Sequence, residues 1–140
     1  MGDTMTDCLF CKIIKGEIPS SKVYDDKDTF AFLDISPVNP GHTLIIPKRH
    51  CESMQDMSDD EVAKVYSTAK KVAAAVVKGV QADGYNIGMN NGKAAGQLVF
   101  HAHVHVIPRF QNDGFHHWHG KQYEQGQQAE VAKRVAANLK

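Results

Sequence analysis

Three histidines alternate with small and apolar residues in Phe100-His101-Ala102-His103-Val104-His105-Val106-Ile107-Pro108. Alternate side chains of an extended chain project to the same side. His101, His103 and His105 therefore share one face, and Ala102, Val104 and Val106 share the other. Each imidazole brings polar nitrogens that need partners when buried. The solvated face of a half-buried strand is more naturally built from Thr, Lys or Glu. Two chemistries fit three stacked imidazoles: metal ligation, and catalysis on a charged group. By ligand count, His103, His105 and His42 could hold a catalytic zinc. Cys8-x-x-Cys11 has metal-knuckle spacing, although a single CxxC equally suits a redox pair or two small buried residues.

These groups need elements to position them. Leu9, Phe10, Ile13 and Ile14 recur at helical spacing before Gly16, which predicts a short helix. Residues 22–25 and 29–34 read as strands joined by the polar turn Asp26-Lys27-Asp28. Ser36-Pro37-Val38-Asn39-Pro40-Gly41 reads as a loop, because its prolines lack donors and restrict φ. Residues 43–46 form a β-branched strand ended by Pro47. Ser58-Asp59-Asp60-Glu61 is a capping box. Beyond it, Val62, Val65, Tyr66, Ala69, Val72, Ala73, Val76, Val77 and Val80 hold one helical face. Lys64, Lys70, Lys71 and Lys78 fall away from that face. Residues 85–90 predict a strand, 91–97 a Gly-containing loop, and 98–108 a strand of strict alternation. Residues 130–139 predict a terminal helix with Val131, Val135 and Leu139 on one side. Strands joined by short turns favour antiparallel pairing, hence an α+β class.

The chain has 140 residues, 42% hydrophobic and 23% charged, which suits one globular domain. Lys+Arg and Asp+Glu both number 16. Zero formal charge disfavours gripping long nucleic acid, which depends on neutralising phosphates. No apolar run approaches the ~20 residues of a membrane span. An odd count of three cysteines, without an apolar leader, argues against a secreted disulfide scaffold. The expected location is cytoplasmic. Residues 1–6 are expected to be a flexible tail.

The triad and its companions resemble the histidine triad (HIT) family, bacterial or Hint-like branch. The resemblance runs from Cys8 to Arg109. It includes Asp34-Ile35-Ser36-Pro37, Pro40-Gly41-His42, Ile45-Ile46-Pro47-Lys48-Arg49-His50, Asn90-Asn91-Gly92 and Gly96-Gln97 as well as the triad. It implies the α+β HIT fold: an antiparallel five-stranded sheet with a long helix and a short N-terminal helix, the sheets joined across a homodimer. Residues 7–140 would form a single HIT domain with a C-terminal extension from about residue 111.

The implied activity is nucleotidyl hydrolysis or transfer at the α-phosphate of purine nucleotide conjugates such as adenosine 5′-phosphoramidates and aminoacyl adenylates. His103 would be the nucleophile, forming a covalent nucleotidyl-histidine. An imidazole can serve because its neutral form is a nitrogen nucleophile near pH 7, provided an acceptor fixes the proton on its other nitrogen. His105 and His42 would flank the phosphate as donors. Asn90 and Gln97 would add polar contacts, and Gly96 would let the loop backbone approach. Asp34 would accept from the ribose hydroxyls. Phe10, Ile13, Ile18, Phe32 and Ile35 would line the base pocket, although read alone they are core residues.

The resemblance also implies a structural zinc held by Cys8, Cys11, His50 and His101, a closed site of four protein ligands. No organic cofactor is expected. A Fhit-like dinucleoside polyphosphate hydrolase shares the first step and differs only in the leaving group. A nucleotide-binding regulatory or scaffold protein is a third reading. Two features depart from the family: Leu98 stands where relatives carry a small hydroxyl residue, and Phe115-His116-His117-Trp118-His119 reads as a surface segment.

Overall fold

The computed structural model describes residues 7–139. The tail expected over residues 1–6 lies outside the described residues. Five strands form one antiparallel sheet in the order β1-β2-β3-β5-β4. They are β1 (Lys22–Asp25), β2 (Thr29–Leu33), β3 (Thr43–Pro47), β4 (Gly84–Met89) and β5 (Val104–Arg109). The helices are α1 (Leu9–Ile14), α2 (Asp59–Val80) and α3 (Gln127–Ala137), with short 3-10 turns at Met54–Asp56 and Lys93–Ala95. No helix among the described residues is long and apolar enough to cross a membrane.

Alternation sorts the sheet into two faces. Ala31, Ile45 and Val104 lie side by side in the β2–β3–β5 register and join Val106 against α2. Phe30, Phe32, Leu44 and Ile46 point the other way, toward Cys8, Phe10, Cys11 and Ile13 of the α1 segment. His105 pairs with Leu44 and so belongs to this second face. α2 buries Val65, Ala69, Val72, Ala73 and Val76, the stripe its periodicity predicts. Its capping box forms: the Glu61 amide donates to Ser58 Oγ at 3.1 Å, and the Ser58 amide donates to Glu61 Oε1 at 3.0 Å. Arg49 also donates to Glu61, and this bond is the main reason its carboxyl falls to about 2.

Two elements differ from expectation. β5 begins at Val104, six residues later than the alternation predicts. The backbone before it makes other bonds: the Ala102 amide donates to the Cys51 carbonyl at 2.7 Å, and the His101 carbonyl is taken by a side chain. These diversions leave no ladder there, yet Ala102 still faces α2 and His101 and His103 still face α1. α3 starts three residues earlier than predicted and buries none of its side chains.

Gly41 sets the entry to β3. Its φ is +101°, and an added Cβ would sit 2.9 Å from Val80 Cγ1. Gly41→Ala therefore combines backbone strain with a clash against α2. We expect a loss of about 1–3 kcal/mol in urea denaturation.

Candidate active site and metal centre

Two clusters share residue His101. The first lies between α1 and the ends of β3 and β5. His101 Nε2 is 2.8 Å from the Pro47 carbonyl, which can only accept, so the proton sits on Nε2. Its bare Nδ1 faces Cys8 Sγ at 3.4 Å and Cys11 Sγ at 3.6 Å. His50 Nδ1 lies 3.4 Å from Cys11 Sγ. The four donor atoms all fall within 4.8 Å of one another. Tetrahedral zinc, with bonds of about 2.3 Å to sulfur and 2.0–2.1 Å to nitrogen, separates S and N ligands by roughly 3.6 Å. The donor set and its spacing fit such an ion. Burial, helped by the neighbouring Cys8 thiol, pushes the Cys11 thiol up to about 11. A cation would have to displace that proton, so binding weakens as pH falls.

The second cluster begins on the same residue's backbone. His103 Nδ1 donates to the His101 carbonyl at 2.7 Å. A neutral His103 then carries a lone pair on Nε2. Phe10 packs edge-on against this ring, with centroids 5.2 Å apart, and His105 lies on its other side at 4.9 Å. His103 is only 6% exposed. Burial lowers its pKa, against the opposing pull of the His101 carbonyl and Asp34.

His42 and His105 form a directed chain. The Val38 amide donates to His42 Nδ1 at 3.0 Å, so the His42 proton resides on Nε2. That nitrogen is 2.9 Å from His105 Nδ1 and donates to it. The His105 proton is thereby placed on Nε2. Burial lowers the pKa of His42, and burial with the neighbouring His103 and His42 takes His105 down to about 4. Both are neutral near pH 7. Asp34 Oδ2 stands 3.7 Å from His42 Nε2, close enough that Asp34, His42 and His105 could be taken for a metal site. A metal there would need a bare Nε2 on His42, hence a proton on Nδ1 pointing at the Val38 N–H. The group is arranged for hydrogen bonding, which disfavours a catalytic zinc on these residues.

The other predicted residues are placed as follows. Phe10, Ile13 and Phe32 are buried beside the triad, and Ile18 packs at their margin. Ile35 is 95% exposed and stands away from them. His42 reaches the triad through His105. Gln97 is buried, and its amide is committed to backbone: Oε1 accepts from the Gly92 amide at 2.9 Å, and Nε2 donates to the carbonyls of Glu52 and Val99. It fastens the loop after β4. Gly96 lies in that loop at φ +92°, next to the Asn90 side chain. Asn90, His42 and His105 border an open cleft of about 790 Å³, which Phe115, His116 and Trp118 also line.

Sequence reasoning missed the Val38 amide and the pair Arg109–Asp113. A backbone donor leaves no trace in residue type. The i, i+4 charge spacing of Arg109 and Asp113 was a usable signal. The tautomers can be measured directly. Nitrogen-15 spectra near pH 7 should find the proton on Nε2 of His42 and His105 and on Nδ1 of His103. A proton on His42 Nδ1 would break the chain described here.

Known proteins resemble this chain over most of its length. The family model described as HIT domain matches residues 15–112. An adenosine 5′-monophosphoramidase of Schizosaccharomyces pombe is 43% identical over 102 residues, 73% of this chain and 74% of that protein. A crystal structure from Streptococcus mutans superposes with a TM-score of 0.91 at 45% identity, covering 100% of this chain and 90% of that one. A Zn-bound histidine triad family protein from Mycobacterium smegmatis superposes with a TM-score of 0.77 at 36% identity, covering 96% and 100%. With the triad, the five-stranded sheet and these similarities in agreement, the chain belongs to the HIT family.

Proposed function

We propose that this protein is a hydrolase or nucleotidyl transferase acting at the α-phosphate of purine nucleotide conjugates, with adenosine 5′-phosphoramidates and aminoacyl adenylates as substrates. The observation that carries the reading is the bond from His103 Nδ1 to the His101 carbonyl, which leaves a nucleophilic lone pair on Nε2. The S. pombe relative's name supports the substrate class.

In the proposed reaction, His103 Nε2 forms a bond to the α-phosphorus as the P–N bond to the amine breaks. The departing amine takes the proton from His105 Nε2, and His42 Nε2–H compensates the resulting charge at His105 Nδ1. Water then attacks the phosphorus, the bond to His103 breaks, and AMP leaves. The proton from water returns to His105. We assign Asp34 to the ribose hydroxyls and Phe10, Ile13, Ile18 and Phe32 to the base. Asn90 and the Gly96 backbone face the phosphate, while Gln97 holds their loop. Ile35, on this reading, covers the nucleotide from outside.

Zinc is the metal we assign to Cys8, Cys11, His50 and His101; four protein ligands make it structural, and no step runs through it. The Zn-bound relative from M. smegmatis supports this. A homodimer is the assembly we favour. β4 lies at an edge of the sheet, and Tyr85 and Ile87 are exposed there, Tyr85 beside α2. The expected location is cytoplasmic. A scaffold role needs no fixed tautomers, so the geometry favours the enzyme.

Three measurements check the reading. AMP release from an adenosine 5′-phosphoramidate should fall at least about 10³-fold in His103→Ala; unchanged turnover would overturn the nucleophile. In wild type, the acid limb of kcat/KM should lie well below the ordinary histidine range near 6.5, because His105 stays neutral until about 4. Metal analysis should find one zinc per chain, lost in Cys8→Ser together with more than about 5 °C of Tm.

A further inference from the structure

The cleft beyond His105 has an unusual charge arrangement. Among the described residues, Arg109 is the only Lys or Arg that lines it. Its guanidinium forms a two-bond pair with Asp113: Nε donates to Oδ2 at 3.0 Å and Nη2 to Oδ1 at 2.7 Å. The guanidinium also lies 4.9 Å from the centre of the Phe115 ring. Asp113 is pinned in turn by the Asn39 side chain at 2.9 Å and by the amides of Phe110 at 2.9 Å and Phe115 at 3.1 Å. The rest of the lining mixes apolar side chains, Val38, Ile107, Phe115 and Trp118 among them, with asparagine and histidine side chains. An anion entering here meets a cation already paired with a carboxylate.

We infer that the Arg109–Asp113 pair is a specificity determinant, which makes the cleft a subsite for uncharged, apolar amine leaving groups and excludes polyphosphate. Asp113 acts through Arg109 and through the backbone of Phe115, and so is a positioning residue. This inference rests on the nucleotidyl-transfer reading of the site, and selects between substrates that share its first step. Anion rejection follows from withholding the attractive charge.

The test compares kcat/KM for AMP release from two substrates: an adenosine 5′-phosphoramidate of an uncharged alkylamine, and diadenosine tetraphosphate. Asp113→Asn keeps one acceptor oxygen, enough for the Phe110 amide and the Asn39 side chain on the Oδ2 side but not also for the Phe115 amide on Oδ1, and frees the Arg109 charge. The preference should move toward the dinucleotide by roughly tenfold, and high salt should erase the shift. Arg109→Gln leaves Asp113 anionic and should move the preference the opposite way, an arm that holds even if Asp113→Asn folds poorly. The double variant should return to the wild-type preference. A preference that stays constant across the single variants, or an Asp113→Asn shift that persists when Arg109 is also removed, would overturn the inference. Wild-type protein that releases AMP from neither substrate would instead overturn the nucleotidyl-transfer reading beneath it.

Discussion

The carbonyl of His101 is the acceptor on which the site depends. It takes the Nδ1 proton of His103 at 2.7 Å and so decides which face of that ring can react. The same residue turns its own imidazole to the thiols of Cys8 and Cys11 and holds it there with a bond to the Pro47 carbonyl. One residue thus anchors the metal-type cluster by its side chain and the reactive ring by its backbone. The late start of β5 goes with another bond of the same segment: the Ala102 amide, a single donor, is given to the Cys51 carbonyl and is lost to a ladder with a neighbouring strand.

Around this bond, the protein controls protons mainly by burial and backbone dipoles, with little use of full charges. His42, His103 and His105 crowd together; burial makes each costly to protonate, and for His42 and His105 neighbouring histidines add to the cost. Their neutral forms fit only if the hydrogen bonds run in one direction, and the Val38 amide sets that direction. Val38 sits in the proline-bounded loop before β3. The loop's stiffness thereby reaches the far nitrogen of His105 through two rings.

Much of this was legible in the sequence. The triad's alternation put three imidazoles on one side, and it did so even where no strand forms, because an extended chain alternates with or without partners. The long helix followed from its capping box and valine stripe. The cluster of Cys8, Cys11, His50 and His101 was readable only through family resemblance, since these residues are far apart in sequence. Backbone roles stayed hidden: the donor at Val38, the acceptors at His101 and Pro47, and the use of Gln97 to bind a loop. Residue type reports on side chains, whereas these functions belong to amides and carbonyls that every residue has. Ile35 shows the converse limit, because an apolar residue type carries no statement of which surface it will meet.

The chain from His119 to Leu139 buries none of its side chains within the described structure. Residues in the sheet are held by neighbours on two sides, and a change in one obliges a change in another. No such mutual obligation binds this segment within the chain itself. Its sequence can drift, lengthen or acquire new binding properties without disturbing the imidazoles. The protein therefore carries, joined to a packed sheet-and-helix body, a stretch on which selection can experiment almost independently.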